Sequence, residues 1–125
     1  MDSPLLTLSG VAKNFGDVQA LTHVDLKIHP GQVVGLVGGN GAGKTTLLRL
    51  MAGVMEPSHG SVMFQNSPVS QMRSKLGVVP ESTGLYSRLT AWENIRYHSR
   101  MYGIDDNLAW SRVTNFAQSL DLVDA

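Results

Sequence analysis

Residues 38–45 read Gly-Gly-Asn-Gly-Ala-Gly-Lys-Thr and satisfy G-x-x-x-x-G-K-[ST] at every fixed position. The pattern constrains the fold because it works only between a strand and a helix. Here it follows the apolar run Val33-Val34-Gly35-Leu36-Val37 and precedes the helix-prone run Thr46-Leu47-Leu48-Arg49-Leu50-Met51-Ala52. Gly38, Gly41 and Gly43 allow positive φ and a close approach of backbone to an anion. Successive N–H groups at the helix start, with the helix dipole behind them, then favour phosphate. In this motif the lysine, Lys44, reaches the β- and γ-phosphates, and the Thr45 hydroxyl ligates Mg²⁺. A chance match in a chain of this length has odds of about one in a few hundred. The sequence therefore predicts a nucleotide-binding loop.

The remaining composition mainly excludes. With 125 residues, the chain predicts at most one ordinary domain with a modest core. Ten basic and ten acidic residues balance, so bulk charge points to neither nucleic acid nor an anionic membrane surface. The absence of cysteine rules out disulfides, thiolate metal sites and a cysteine nucleophile. Met1-Asp2-Ser3-Pro4-Leu5-Leu6 lacks the basic flank and apolar core of a signal peptide. No stretch approaches the ~20 apolar residues of a membrane-spanning helix. The expectation is a soluble chain that reaches a membrane only through a partner.

Along the chain, residues 6–15 and 18–28 alternate apolar and polar residues around Asn14-Phe15-Gly16-Asp17, which predicts an antiparallel pair. A third strand is expected over 32–37 after Pro30-Gly31. The helix from Lys44 should end at Gly53 and, being apolar over most of its circumference, be largely buried. Short strands are expected over 61–65 and 76–79, with a short helix over 69–75 between them. Beyond Pro80 the chain becomes polar through residue 88. Thr90-Ala91-Trp92-Glu93 has capping-box spacing, which predicts a helix over 91–102 closed by Gly103. Asp105 or Asp106 can cap a last helix with Ala109, Val113, Phe116, Ala117 and Leu120 on one face.

These residues resemble the ATP-binding subunits of ATP-binding-cassette (ABC) transporters, from about residue 5 to 123. Asn40-Gly41-Ala42-Gly43-Lys44-Thr45-Thr46-Leu47 is that family's form of the phosphate loop. Lys13-Asn14-Phe15-Gly16 with Ala20-Leu21 is similar to its adenine-stacking region. Ala52-Gly53 through Pro57 with Gly60-Ser61-Val62, and Leu76-Gly77-Val78-Val79-Pro80, resemble the segments before its Q-loop. Gly84-Leu85-Tyr86, Leu89-Thr90 and Glu93-Asn94-Ile95 resemble the start of its helical subdomain. The resemblance implies an α/β fold: a P-loop NTPase core, an N-terminal antiparallel β subdomain, and the start of a helical subdomain, incomplete. It divides the chain into 1–80, the β subdomain with the P-loop core, and 81–125, the Q-loop region with the first helices.

Function follows from the same resemblance. It implies ATP and Mg²⁺ as ligands, held by Gly38, Gly39, Asn40, Gly41, Ala42, Gly43, Lys44, Thr45 and Thr46, with Phe15 stacking on the adenine. Glu81 stands where the family usually has glutamine. As a hard oxygen ligand it suits Mg²⁺ or the attacking water, which makes Lys44 and Glu81 the catalytic candidates and Thr45 and Glu81 the metal candidates. The implied partners are a transmembrane permease on a separate chain and a second ATP-binding subunit, at the cytoplasmic face of the membrane. Pro80-Glu81 with Gly84-Leu85-Tyr86 is similar to the exporter branch that includes sodium and drug efflux subunits.

Several parts of the family's machinery do not occur in these 125 residues. There is no apolar run ending in Asp-Glu, Leu122-Val123-Asp124 being too short. Leu8-Ser9-Gly10 resembles the opening of the signature sequence but lies before the phosphate loop, and His23, His29, His59 and His98 hold no switch position. Phosphoryl transfer needs a cradle, a metal and an oriented water, so the expectation is ATP binding with little or no hydrolysis by these residues alone. The competing readings are another P-loop NTPase, such as a small kinase or GTPase, and a naturally truncated nucleotide-binding module. No Asn-Lys-x-Asp guanine-reading motif is present.

Overall fold

Leu6, Leu8 and Val11 give the first strand its buried side, and a computed structural model of the chain, describing residues 3–82 and 84–124, places them in an antiparallel sheet. Strand β1 (Leu6–Phe15) pairs antiparallel with β2 (Val18–Ile28), from Leu6 opposite Ile28 to Phe15 opposite Val18. On its other side β1 pairs with β3 (His59–Phe64), which continues to the two-residue β4 (Ser67–Pro68), so the order is β2-β1-β3-β4. The close approach of β3 to β1 at its first residues depends on Gly60, at φ +79: a Cβ there would collide with the carbonyl oxygens of Ser9 and Gly10.

Helix α1 (Lys44–Met51) lies against this sheet through Leu47 and Leu50, completing a core with Leu6, Leu8, Val11, Leu21, Val62, Phe64 and Val69. The last turn closes when Gly53 N donates to Leu50 O and Val54 N to Arg49 O, the paired bonds that satisfy carbonyls left open at a helix end. The expectation that this helix is largely buried is corrected. It buries one stripe, and Leu48 is 54% exposed, because the sheet covers only one of its sides.

Three further expectations change. Residues 32–37 and 76–79 form no ladder, and Val33, Val37 and Val79 are 99%, 95% and 97% exposed. A strand requires a neighbour to accept and donate, and among the described residues neither segment has one. The 61–65 strand ends at Phe64, since Gln65 turns into the left-handed region at φ 54. The helix expected over 69–75 is two tight turns, Val69–Gln71 and Arg73–Lys75, hinged at Met72 (φ −112). So short a run closes i→i+3 bonds more readily than it nucleates an α-helix.

The chain divides into two compact units, Met1–Val78 and Val79–Ala125. In the second, α2 (Ala91–Met101) begins at the Thr90 cap, with Glu93 N donating to Thr90 Oγ1 at 3.1 Å and Thr90 N to Glu93 Oε2 at 2.7 Å. That backbone donor holds the Glu93 carboxyl below its ordinary value. Asp105 caps α3 (Asp106–Ser119), and Trp92 meets Trp110 edge-to-face with ring centroids 4.9 Å apart. The apolar face expected on α3 is only partly used: Ala109 is buried, whereas Phe116 and Leu120 are 68% and 66% exposed.

Candidate phosphate-binding site

The loop between the extended segment and α1 turns sharply at residues 39–42, where Ala42 N donates to Gly39 O at 3.2 Å. Gly41 and Gly43 take positive φ, +81 and +93, as the motif requires. Gly38 does not, which corrects the expectation for that position. Its lack of a side chain serves space instead, because a Cβ would stand 3.1 Å from Ala42 Cβ. Gly43 serves both purposes. A Cβ there would lie 2.8 Å from Leu21 Cδ2 and 2.9 Å from Ala20 O, so the loop is set directly against the backbone of β2.

Gly43 is also the N-cap of α1. It supplies no side-chain bond to the first turn, and that turn contains no acidic residue. The first backbone donors of the helix are therefore left for an external acceptor, with the positive end of the dipole behind them. Lys44 folds back over the loop, its ammonium donating to Gly38 O and, at 2.8 Å, to Gly39 O. A cavity of about 360 Å³ opens here, walled by residues 39–46 on one side and Val18, Gln19 and Ala20 on the other. Lys44 carries the only formal charge in that wall. The cavity is concave and carries one positive charge, a character that suits a polyphosphate.

The structure gathers Gly39, Asn40, Gly41, Ala42, Gly43, Lys44, Thr45 and Thr46 into this one wall. Gly38 supports the loop by accepting from Lys44. Phe15 is not part of the wall, but it is half-exposed and pairs in register with Val18, which is. Glu81 lies exposed in the second unit, ahead of α2. Among the described residues no three His, Cys, Asp or Glu side chains gather as a metal site. Magnesium is a hard cation that takes oxygen ligands and keeps much of its shell from phosphates and water, and Thr45, an exposed hydroxyl-bearing residue of this wall, fits such a site.

Two residues carry more than the sequence reading gave them. Asn94, the only buried polar side chain among the described residues, accepts from Tyr86 N at 2.8 Å and donates to the carbonyls of Tyr86, Leu89 and Thr90. It thereby fixes the loop that leads into α2. Lys13 lies over the Phe15 ring, 5.3 Å from its centroid. Of the histidines, His23 pairs with Asp25 at 2.7 Å. The Asp25 carboxylate also accepts from Gly10 N, and mainly for that reason its pKa is lowered.

A glycine loop wedged between a sheet and an uncapped helix start, with one lysine folded over it, defines a P-loop nucleotide-binding protein. A sequence profile described as ABC transporter matches residues 21–125. The ABC transporter ATP-binding protein NatA of Bacillus subtilis (strain 168) is 35% identical over a 129-residue alignment covering 96% of this chain and 52% of that protein. A solved ATP binding subunit of an ABC transporter superposes with a TM-score of 0.80 at 26% identity, covering 94% of this chain and 51% of that one. An ATP-binding cassette solved as a dimer in a post-hydrolysis state, bound to ADP and Pi, gives a TM-score of 0.69 at 28% identity, covering 78% of this chain and 47% of that one. The chain belongs to the ABC transporter ATP-binding family, and it spans about half the length of NatA and of that solved ATP binding subunit. No helix among the described residues is long and apolar enough to cross a membrane.

Proposed function

We propose that the chain binds magnesium-ATP as part of an ABC transporter ATPase subunit that couples ATP hydrolysis to solute movement through a transmembrane permease on a separate chain. One observation carries this reading: the Lys44 ammonium held over the loop carbonyls, beside an uncapped helix start, in a cavity with no other charge. The phosphate tail lies along the N–H groups of residues 38–46, and Lys44 turns from its carbonyls to the β- and γ-phosphates. Phe15 stacks on the adenine. Thr45 offers a hydroxyl to Mg²⁺, and Glu81, from its place after Pro80 in the sequence, offers a carboxylate. A bound metal would supply neutralisation of phosphate charge.

Lys44 and Glu81 are the residues assigned to chemistry, but these 125 residues alone turn over little or no ATP. They contain neither a signature sequence nor an Asp-Glu pair to polarise water. In the intact protein a second ATP-binding subunit completes the site, and the pair works at the cytoplasmic face of the membrane through the permease. The Pro80-Glu81 and Gly84-Leu85-Tyr86 pattern supports an export direction.

Calorimetric titration of the chain with magnesium-ATP tests the reading. The parent should bind and Lys44→Ala should lose most of the affinity, whereas equal binding by the two would overturn it.

A further inference from the structure

The end of β1 that carries Phe15 is stitched to the turn after α1 at three successive residues. Ser58 N donates to Ala12 O at 2.8 Å, the Lys13 ammonium donates to Glu56 O at 2.8 Å, and Asn14 N donates to Ser58 Oγ at 2.9 Å. From its anchor on Glu56, Lys13 also stands over the Phe15 ring at 5.3 Å from the centroid, inside the range in which an ammonium is attracted to the negative face of an aromatic ring. Phe15 needs such a restraint. The residue is 47% exposed, so core packing does not fix its ring, and a mobile ring would lose freedom each time a base stacked on it.

We propose that Lys13 is a positioning residue of the nucleobase site: clamped to the Glu56 carbonyl, its ammonium covers one face of Phe15 and presents the opposite face to the base. The cavity wall begins three residues further on, at Val18, the partner of Phe15 across the strand pair. A ring set by Lys13 thus stands next to the phosphate cradle in the strand register. Lys13 touches neither the phosphates nor the base in this arrangement, and its influence passes through the ring. The inference rests on the reading of Phe15 as the stacking residue.

The test compares magnesium-ATP with magnesium-tripolyphosphate, which has the phosphates but no base, by calorimetry on the 125-residue chain. Phe15→Ala should weaken ATP about fivefold or more and leave tripolyphosphate unchanged. Lys13→Met should weaken ATP about two- to fivefold, again without effect on tripolyphosphate. Lys13→Arg should restore parental ATP affinity, and Lys13→Met should have no effect in the Phe15→Ala background. Unchanged or tighter ATP binding by Lys13→Met, an equal loss of tripolyphosphate, or a loss that persists without Phe15 would each overturn the assignment. A Phe15→Ala variant that binds ATP like the parent would instead remove the stacking reading itself.

Discussion

Gly43→Ala should be the most damaging single-methyl change in the phosphate loop, and Gly41→Ala supplies its control. Both glycines sit at positive φ, +93 and +81, so alanine at either position carries the left-handed penalty of about 1–2 kcal/mol. Their surroundings differ. An added Cβ at Gly41 meets nothing within 4 Å, whereas at Gly43 it lies 2.8 Å from Leu21 Cδ2 and 2.9 Å from Ala20 O. Leu21 is a core residue, and the carbonyl belongs to a paired strand, so neither gives way freely. Overpacking of this kind adds about 1–3 kcal/mol, for a total of about 2–5 kcal/mol at Gly43. A small domain has about 5–15 kcal/mol in all. Both tryptophans, Trp92 and Trp110, lie in the second unit, so their fluorescence does not report on the loop. The suitable assay is amide hydrogen exchange across β1, β2 and β3. Protection there should fall by about 2–5 kcal/mol in Gly43→Ala and about 1–2 kcal/mol in Gly41→Ala. Losses within about 0.5 kcal/mol of each other, the usual limit for independent sites, would refute the claim that the loop is wedged against β2.

Two further outcomes are expected. The Thr90 amide and hydroxyl hold the Glu93 carboxyl below its usual range, and Arg100 does the same for Asp106. A folded pKa below the unfolded one gives stability that is present above the ordinary carboxylate value, about 4.3 for glutamate, and lost as pH falls through the folded one. Tryptophan-monitored unfolding of the second unit should therefore weaken in acid, less steeply in Glu93→Gln, and identical slopes would count against the capping box as its source. The unpaired segments at Val33–Val37 and Val79 present exposed valines, and such edges template pairing between chains. Sedimentation should show concentration-dependent association that a Val33→Lys, Val37→Lys double variant reduces; a parent that stays monomeric at tens of micromolar, about the range where exposed edges associate, would argue the other way.

What the sequence made legible was whatever neighbours along the chain decide. The Thr90–Glu93 box, the Gly53 and Gly103 helix ends and the Asn14–Asp17 turn all depend on contacts within a few residues, and each lies where its pattern placed it, while the last helix is capped by Asp105, one of the two aspartates its pattern allowed. The loop was legible for the same reason, since its glycines, Lys44 and Thr45 are contiguous. Residues 32–37 had a strand's composition but not a strand's partner, and composition cannot supply a ladder. Likewise Leu48 and Phe116 have core character without a covering surface. The role of Asn94 was hidden because its four bonds depend on how the preceding loop folds back over α2. Lys13 was hidden because its anchor, Glu56, is 43 residues away.

The lysine folded over its own loop has a thermodynamic consequence. Its ammonium is engaged by two peptide oxygens, so nucleotide capture is an exchange of acceptors, and the affinity measured is the difference between two sets of bonds. Replacing Lys44 then subtracts from both sides of that exchange, because it also releases the tether between the ammonium and the loop carbonyls. A nucleotide-free Lys44→Ala chain should accordingly hold this turn more loosely than its parent does.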